Sequence, residues 1–137
     1  MSNQLLVSDF MDKQFDIIRE NDSINEAISL LMKDRLIGLL VVNDQGNLVG
    51  TLSEKNCLEI YVHQTYHTLP SSKVKEHMNE IKLTVHSSMP AEEVADIVLE
   101  HKIRRLPVVD DGQLVGQVTR RDLLRGIHYH LFPPEVE

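Results

Sequence analysis

An internal repeat limits the possible folds of this chain more than any other feature. LLVVNDQGNLVG (residues 39–50) aligns with LPVVDDGQLVG (residues 106–116), the first copy carrying one extra residue in its turn. Such self-similarity means one supersecondary unit built twice. The flanks repeat as well. Ile24, Ala27, Ile28, Leu31 and Met32 follow i, i+3, i+4, i+7, i+8, and Ala91, Val94, Ala95, Val98 and Leu99 keep the same spacing, which is the buried stripe of an amphipathic helix. Ser23 and Glu26 spell a capping box before the first helix, and Pro90 suits the opening turn of the second, where a missing N–H is not needed.

After each helix the pattern predicts a strand (39–42; 106–109), an Asp/Gly turn, a second strand (48–52; 114–118), and a further helix from about Glu54 and about Arg120. Short β segments at 17–18 and 84–85 complete two β-α-β-β-α units, an α/β chain of the α+β type. The polar HQTYHTLPSS, residues 63–72, reads as a linker. The expected organisation is a first repeat with an N-terminal arm (1–62), the linker (63–72), a second repeat (73–131) and a tail (132–137). A half of about 55 residues can hardly bury its sheet and helices alone. The two copies are therefore expected to pack on each other with pseudo-twofold symmetry.

Composition excludes more than it assigns. Apolar residues at 42% and charged residues at 26% are ordinary for a soluble domain. The longest apolar run, LIGLLVV (36–42), is too short to span a bilayer, and the start lacks the basic-then-apolar pattern of a signal peptide. A cytoplasmic protein with no membrane contact is expected. The net charge of -7 argues against nucleic acid. Residues 101–125 reverse that sign locally, with Lys102, Arg104, Arg105, Arg120, Arg121 and Arg125 against three aspartates; such an island suits a small anion. The lone Cys57 can form no internal disulfide and reads as a core residue. His128 and His130 stand i, i+2 on a helix and so point to different faces, which argues against a metal.

The repeats diverge most at GQVTRRD (116–122) and GTLSEKN (50–56). Thr119 and Asp122 have the spacing of a helix cap, and capping alone accounts for both. The same helix start can hold a phosphate on its amides, with Thr119 donating its hydroxyl and Arg120 or Arg121 adding charge-assisted bonds. In the other copy Ser53 can still cap, but Glu54 would repel a phosphate, and Asn56 can offer a ribose hydroxyl only one carbonyl oxygen.

RRLPVVDDGQLVGQVTRRDLL (104–124), and less fully GLLVVNDQGNLVGTLSEKNCL (38–58), make the chain resemble a tandem pair of cystathionine-β-synthase (CBS) domains, the Bateman module, over about residues 7–130. The resemblance implies a regulatory module that pairs into dimers and holds an adenosyl compound, AMP, ADP, ATP or S-adenosylmethionine, in a cleft between repeats. It gives Asp122 the ribose, whose two donor hydroxyls match a carboxylate's two oxygens. It gives the adenine an apolar slot carried over to Thr84, Val85 and His86 with Arg105, Leu106 and Pro107. A weaker counterpart site would use Ile18, Leu40, Ser53 and Asn56. Pro107 has no N–H for the sheet, whereas Leu40 holds its place in the first copy, which predicts a more regular first edge. With little sequence outside the repeats, the regulated protein is expected to be a separate chain.

Two other functional classes compete. Catalysis is not expected, because no G-x-S-x-G, H-E-x-x-H or Walker motif is present and no histidine has a recurring acid partner. A structural module that dimerises and binds protein but no nucleotide fits the degraded first copy.

Overall fold

Each hairpin turn is closed by residues that tolerate positive φ, and this sets where the strands reverse. Gly46 (φ 83°) ends the longer turn, where Asn43 Oδ1 also accepts the amides of Gln45 and Asn47. Asp111 (φ 50°) and Gly112 (φ 80°) make the two-residue turn of the second copy. The computed structural model describes residues 4–34, 38–63, 67 and 71–135. The first repeat runs β1 (Ile17–Arg19), α1 (Ile24–Asp34), β2 (Gly38–Val42), β3 (Leu48–Ser53) and α2 (Glu54–Val62). After a two-residue strand β4 (Asn79–Glu80) come α3 (Ala91–His101), β5 (Arg105–Asp110), β6 (Gln113–Thr119) and α4 (Arg120–Leu131). The mixed α+β repeat expected from the sequence is present twice.

The hairpins share their register and irregularity. Leu39 faces Leu52 and Leu40 faces Thr51, with a bulge after Val41; Leu106 faces Val118 and Pro107 faces Gln117, with a bulge after Val108. Their first β segments differ as Pro107 predicts. The Leu40 amide donates to the Asp16 carbonyl, and β1 pairs with β2 at three positions. Pro107 has no such donor, and the segment at Val85 is reduced to one parallel bridge with Val108.

Two compact units result. One is Phe15–Lys82; the other joins residues 4–14 to 83–135. The core of the first centres on Ile24, Leu31, Leu39, Val41, Leu52 and Val74. The core of the second centres on Val7, Val85, Val94, Leu106, Val108 and Val118. Each is completed by an arm without helical or strand periodicity. In one arm a 3-10 turn, Val7–Asp9, buries Val7, whose amide donates to Met89, and Asp12 and Gln117 exchange both backbone bonds. In the other a turn, Val74–Glu76, buries Val74, whose amide donates to Asp22, and β4 then pairs with β3. Of the expected linker, residues 64–66 and 68–70 lie outside the described residues, as do 136–137 of the tail.

The helical stripes are narrower than the spacing predicts. Ile24, Ala27 and Leu31 are buried, as are Ala91, Val94 and Val98, but Met32 and Leu99 are 59% and 74% exposed. Eight steps of about 100° carry Met32 and Leu99 about 80° past the first residue of the stripe, off the covered face. Ser23 caps α1 through Oγ, accepting the amides of Asn25 (3.1 Å) and Glu26 (3.4 Å). Pro90 stands at the N-cap of α3, one place before the first helical residue.

Candidate functional site

α4 begins where β6 ends, so β6 aims Thr119 at the first turn of the helix. Thr119 Oγ1 accepts the Asp122 amide (3.0 Å), and Asp122 Oδ2 accepts the Thr119 amide (2.9 Å), a closed capping box. The Arg120 amide is taken by the Arg104 carbonyl (3.1 Å). Fewer amides therefore remain for an anion than a bare helix start would offer. Asp122 is 8% exposed, and its other oxygen, Oδ1, receives Nη2 of Arg125 at 2.8 Å. Each carboxylate oxygen carries one donor and keeps a second lone pair. The Thr119 hydroxyl accepts one bond, and its own proton meets no acceptor among the described residues.

The first repeat has the same box with different capacity. Asn56 accepts the Ser53 amide (2.8 Å), and its amide donates to Ser53 Oγ (3.1 Å). The Ser53 hydroxyl turns inward onto Asn56 Oδ1 (2.9 Å), and Asn79 Nδ2 reaches the same atom (3.2 Å). Oδ1 thus serves three donors, more than its two lone pairs are suited to. The expectation from the sequence gives Asn56 this one oxygen for a ribose hydroxyl. Its only acceptor atom is already filled, and the serine proton is spent on it.

The other expected site residues lie around β5, with Thr119 on its β6 side and the segment at Val85 along its other edge. Arg105 pairs with Thr119 across β5–β6, and the Val85 amide donates to the Pro107 carbonyl (3.1 Å). Val85 and Leu106 are each 1% exposed and belong to the core, so towards a ligand they present backbone rather than side chain. Thr84, His86, Arg120 and Arg121 are exposed. Arg105 is half-buried with Nη1 3.3 Å from Gln117 Oε1, while Arg104 is exposed and precedes the strand. In the counterpart set Ile18 and Leu40 are likewise core residues.

Sequence reasoning missed a polar cluster beside this edge. Asp110 accepts both the amide and the hydroxyl of Ser87, and His86 Nδ1 lies 4.0 Å from Asp110 Oδ1 and 2.9 Å from the Val109 carbonyl. The Ser87 hydroxyl, then its amide, then the nearby imidazole hold the Asp110 carboxyl below its ordinary range. Ser87 and Asp110 are 23 positions apart, and no spacing rule joins them. Arg125 was noted only for its charge, although its place one turn after Asp122 is an i, i+3 signal. Cys57 is a core residue, as expected; burial, aided by Glu54, pushes its thiol up. Among the described residues no group of three His, Cys, Asp or Glu is placed to hold a metal, and no helix is long and apolar enough to cross a membrane.

Comparison with known proteins bears on this geometry. The family model described as "CBS domain" matches residues 7–63 and 74–129. The chain is 34% identical to the CBS domain-containing protein YhcV of Bacillus subtilis, over 85% of this chain and 81% of that one. It is 31% identical to the chloroplastic CBS domain-containing protein CBSX1 of Arabidopsis thaliana, over 87% of this chain but only 62% of the relative's length. Among solved structures, CBSX2 in complex with AMP superposes with a TM-score of 0.76 at 32% identity, covering 89% of this chain and 95% of that one. The CBS domain pair of protein MJ0100, in complex with 5-methylthioadenosine and S-adenosyl-L-methionine, gives 0.72 at 30% identity, covering 88% and 98%.

Proposed function

The chain belongs to the CBS-domain family, with two repeats in one polypeptide, and on that premise we propose that it is a regulatory module binding an adenosyl compound through its second repeat. AMP, ADP, ATP and S-adenosylmethionine are the candidate ligands. The observation that carries this reading is the contrast between two capping boxes. Asp122 and Thr119 keep two acceptor lone pairs and one donor proton, whereas Asn56 and Ser53 satisfy each other. Asp122 would take the ribose hydroxyls. Thr119 with Arg120 and Arg121 would take the phosphate, or, for S-adenosylmethionine, its carboxylate. The backbone around Thr84, Val85, His86, Arg105, Leu106 and Pro107 would meet the adenine. AMP in CBSX2 and the adenosyl ligands in MJ0100 support the ligand class.

The module holds its ligand without converting it and passes its state to a partner protein as a homodimer in the cytoplasm. Pseudo-equivalent apolar side chains support the dimer: Met32 and Leu58 in one unit, Leu99 and Leu124 in the other, all more than half exposed. Sedimentation of the wild type against Leu99→Asp with Leu124→Asp tests it, and a monomeric wild type would refute it.

A thermal-shift panel of the four ligands tests the binding reading. Ligand at 100 times its Kd should stabilise the protein by about 2.7 kcal/mol. No shift with any of them, on protein shown by mass spectrometry to carry no ligand, would favour a structural dimerisation module in which Thr119 and Asp122 only cap α4.

A further inference from the structure

We infer that Arg125 is the positioning residue of the Asp122 carboxylate and thereby sets how strongly the site prefers a ribose to a deoxyribose; this rests on the nucleotide reading of the second repeat. The torsion that turns a carboxylate about its last carbon–carbon bond is soft and broad. A pair of vicinal hydroxyls needs both oxygens presented together, so a carboxylate free to turn would meet one hydroxyl at a time. Asp122 is gripped at both ends. The Thr119 amide fixes Oδ2 at 2.9 Å, and Arg125 Nη2 fixes Oδ1 at 2.8 Å. What remains on each oxygen is one lone pair, in a plane that neither grip alone would define.

The two side chains differ in access. The Asp122 side chain is 12% exposed and that of Arg125 49%. Arg125 lies along a groove of about 510 Å3 with Phe10, Met11 and Tyr129, so the guanidinium can reach the buried carboxylate from one side and remain hydrated on the other. The first repeat supplies an internal comparison. The residue corresponding to Arg125 is Glu59, and Oδ1 of Asn56 is held instead by the neutral donors of Ser53 and Asn79. The cation occurs in the copy whose cap residue is a carboxylate. Removing Arg125 also strips a buried carboxylate of one partner, which costs stability, so its effect on the site is read in the ratio of two ligand affinities.

Calorimetric titration of the full chain with AMP and with 2′-deoxy-AMP tests the assignment. A hydrogen bond to a charged group is worth about tenfold or more in affinity, so the wild type should prefer AMP by at least that ratio. Arg125→Ala should reduce the preference to about threefold or less, whereas Arg125→Lys should restore part of it. A residue with a purely structural role would not move the ratio. If Arg125→Ala and Arg125→Gln keep the wild-type ratio, the positioning role is wrong and the nucleotide reading stands. If the wild type binds neither compound, and none of ADP, ATP or S-adenosylmethionine either, the nucleotide reading fails and takes this inference with it; if it binds only one of those three, the same ratio is read with that ligand and its 2′-deoxy form.

Discussion

Asn79 donates its side-chain amide to Oδ1 of Asn56 at 3.2 Å, and so an arm residue closes the cap of a helix that began 25 positions earlier at Glu54. That oxygen then has no room for a ligand. Asn79→Ala is expected to cost about 1 kcal/mol of folding stability, the worth of one such bond, and to leave nucleotide affinity unchanged. Asp122→Ala should cost a similar amount as a lost cap but remove most binding. Chemical denaturation and calorimetry on both variants separate the two effects; equal binding losses would contradict the asymmetry between the repeats.

Gly50 and Gly116 are glycines because the arms pass too close for a side chain. A Cβ at Gly116 would meet Met11 Sδ at 2.9 Å and the Asp12 carbonyl at 3.0 Å; at Gly50 it would meet Met78 Sδ at 2.6 Å and the Asn79 carbonyl at 2.7 Å. Gly116→Ala should destabilise by roughly 1–3 kcal/mol, as overpacking does. Hydrogen exchange should speed at the amides of Asp12 and Gln117, the pair that ties the arm to β6.

His77 holds the place in its arm that Phe10 holds in the other, and its Nε2 is buried with no hydrogen-bond partner among the described residues. An unmet buried polar atom costs about 1–3 kcal/mol. His77→Phe should therefore raise the denaturation midpoint, by about 1 kcal/mol in free energy. A lower midpoint would show that the ring nitrogen has a role that burial conceals.

Ser87 and His86 lower the Asp110 pKa in the folded protein, and the sign of its contribution follows. A depressed carboxylate stabilises the fold above its unfolded value of about 3.9, and that stability is lost as pH falls through the lower folded value. The stability difference between wild type and Asp110→Asn should shrink below about pH 4. Denaturation midpoints taken across that range check it.

The hairpins, the four helices and the Thr119–Asp122 cap were legible because each depends on spacing within a few residues. Ile24, Ala27 and Leu31 announce a helix wherever they are put, and Asp111–Gly112 announces a reversal. The arms were not legible, since Val7 and Val74 gain their burial from distant residues and lie in segments with no period of their own. For the same reason the filling of Asn56 by Asn79, and the bond from Ser87 to Asp110, could not be read. Substitution of Asp by Asn at the cap showed that the repeats had diverged, but not that the amide was already occupied.

The arm of residues 4–14 belongs with residues 83–135, whereas Phe15–Lys82 is continuous in the chain. During synthesis these units cannot mature together. The continuous one has all its parts once Lys82 has emerged, while Val7 and Phe10 leave the ribosome earlier and must wait for Val118 and Gly126. Translation speed between Phe10 and Gly126 therefore sets how long an apolar arm stays uncovered.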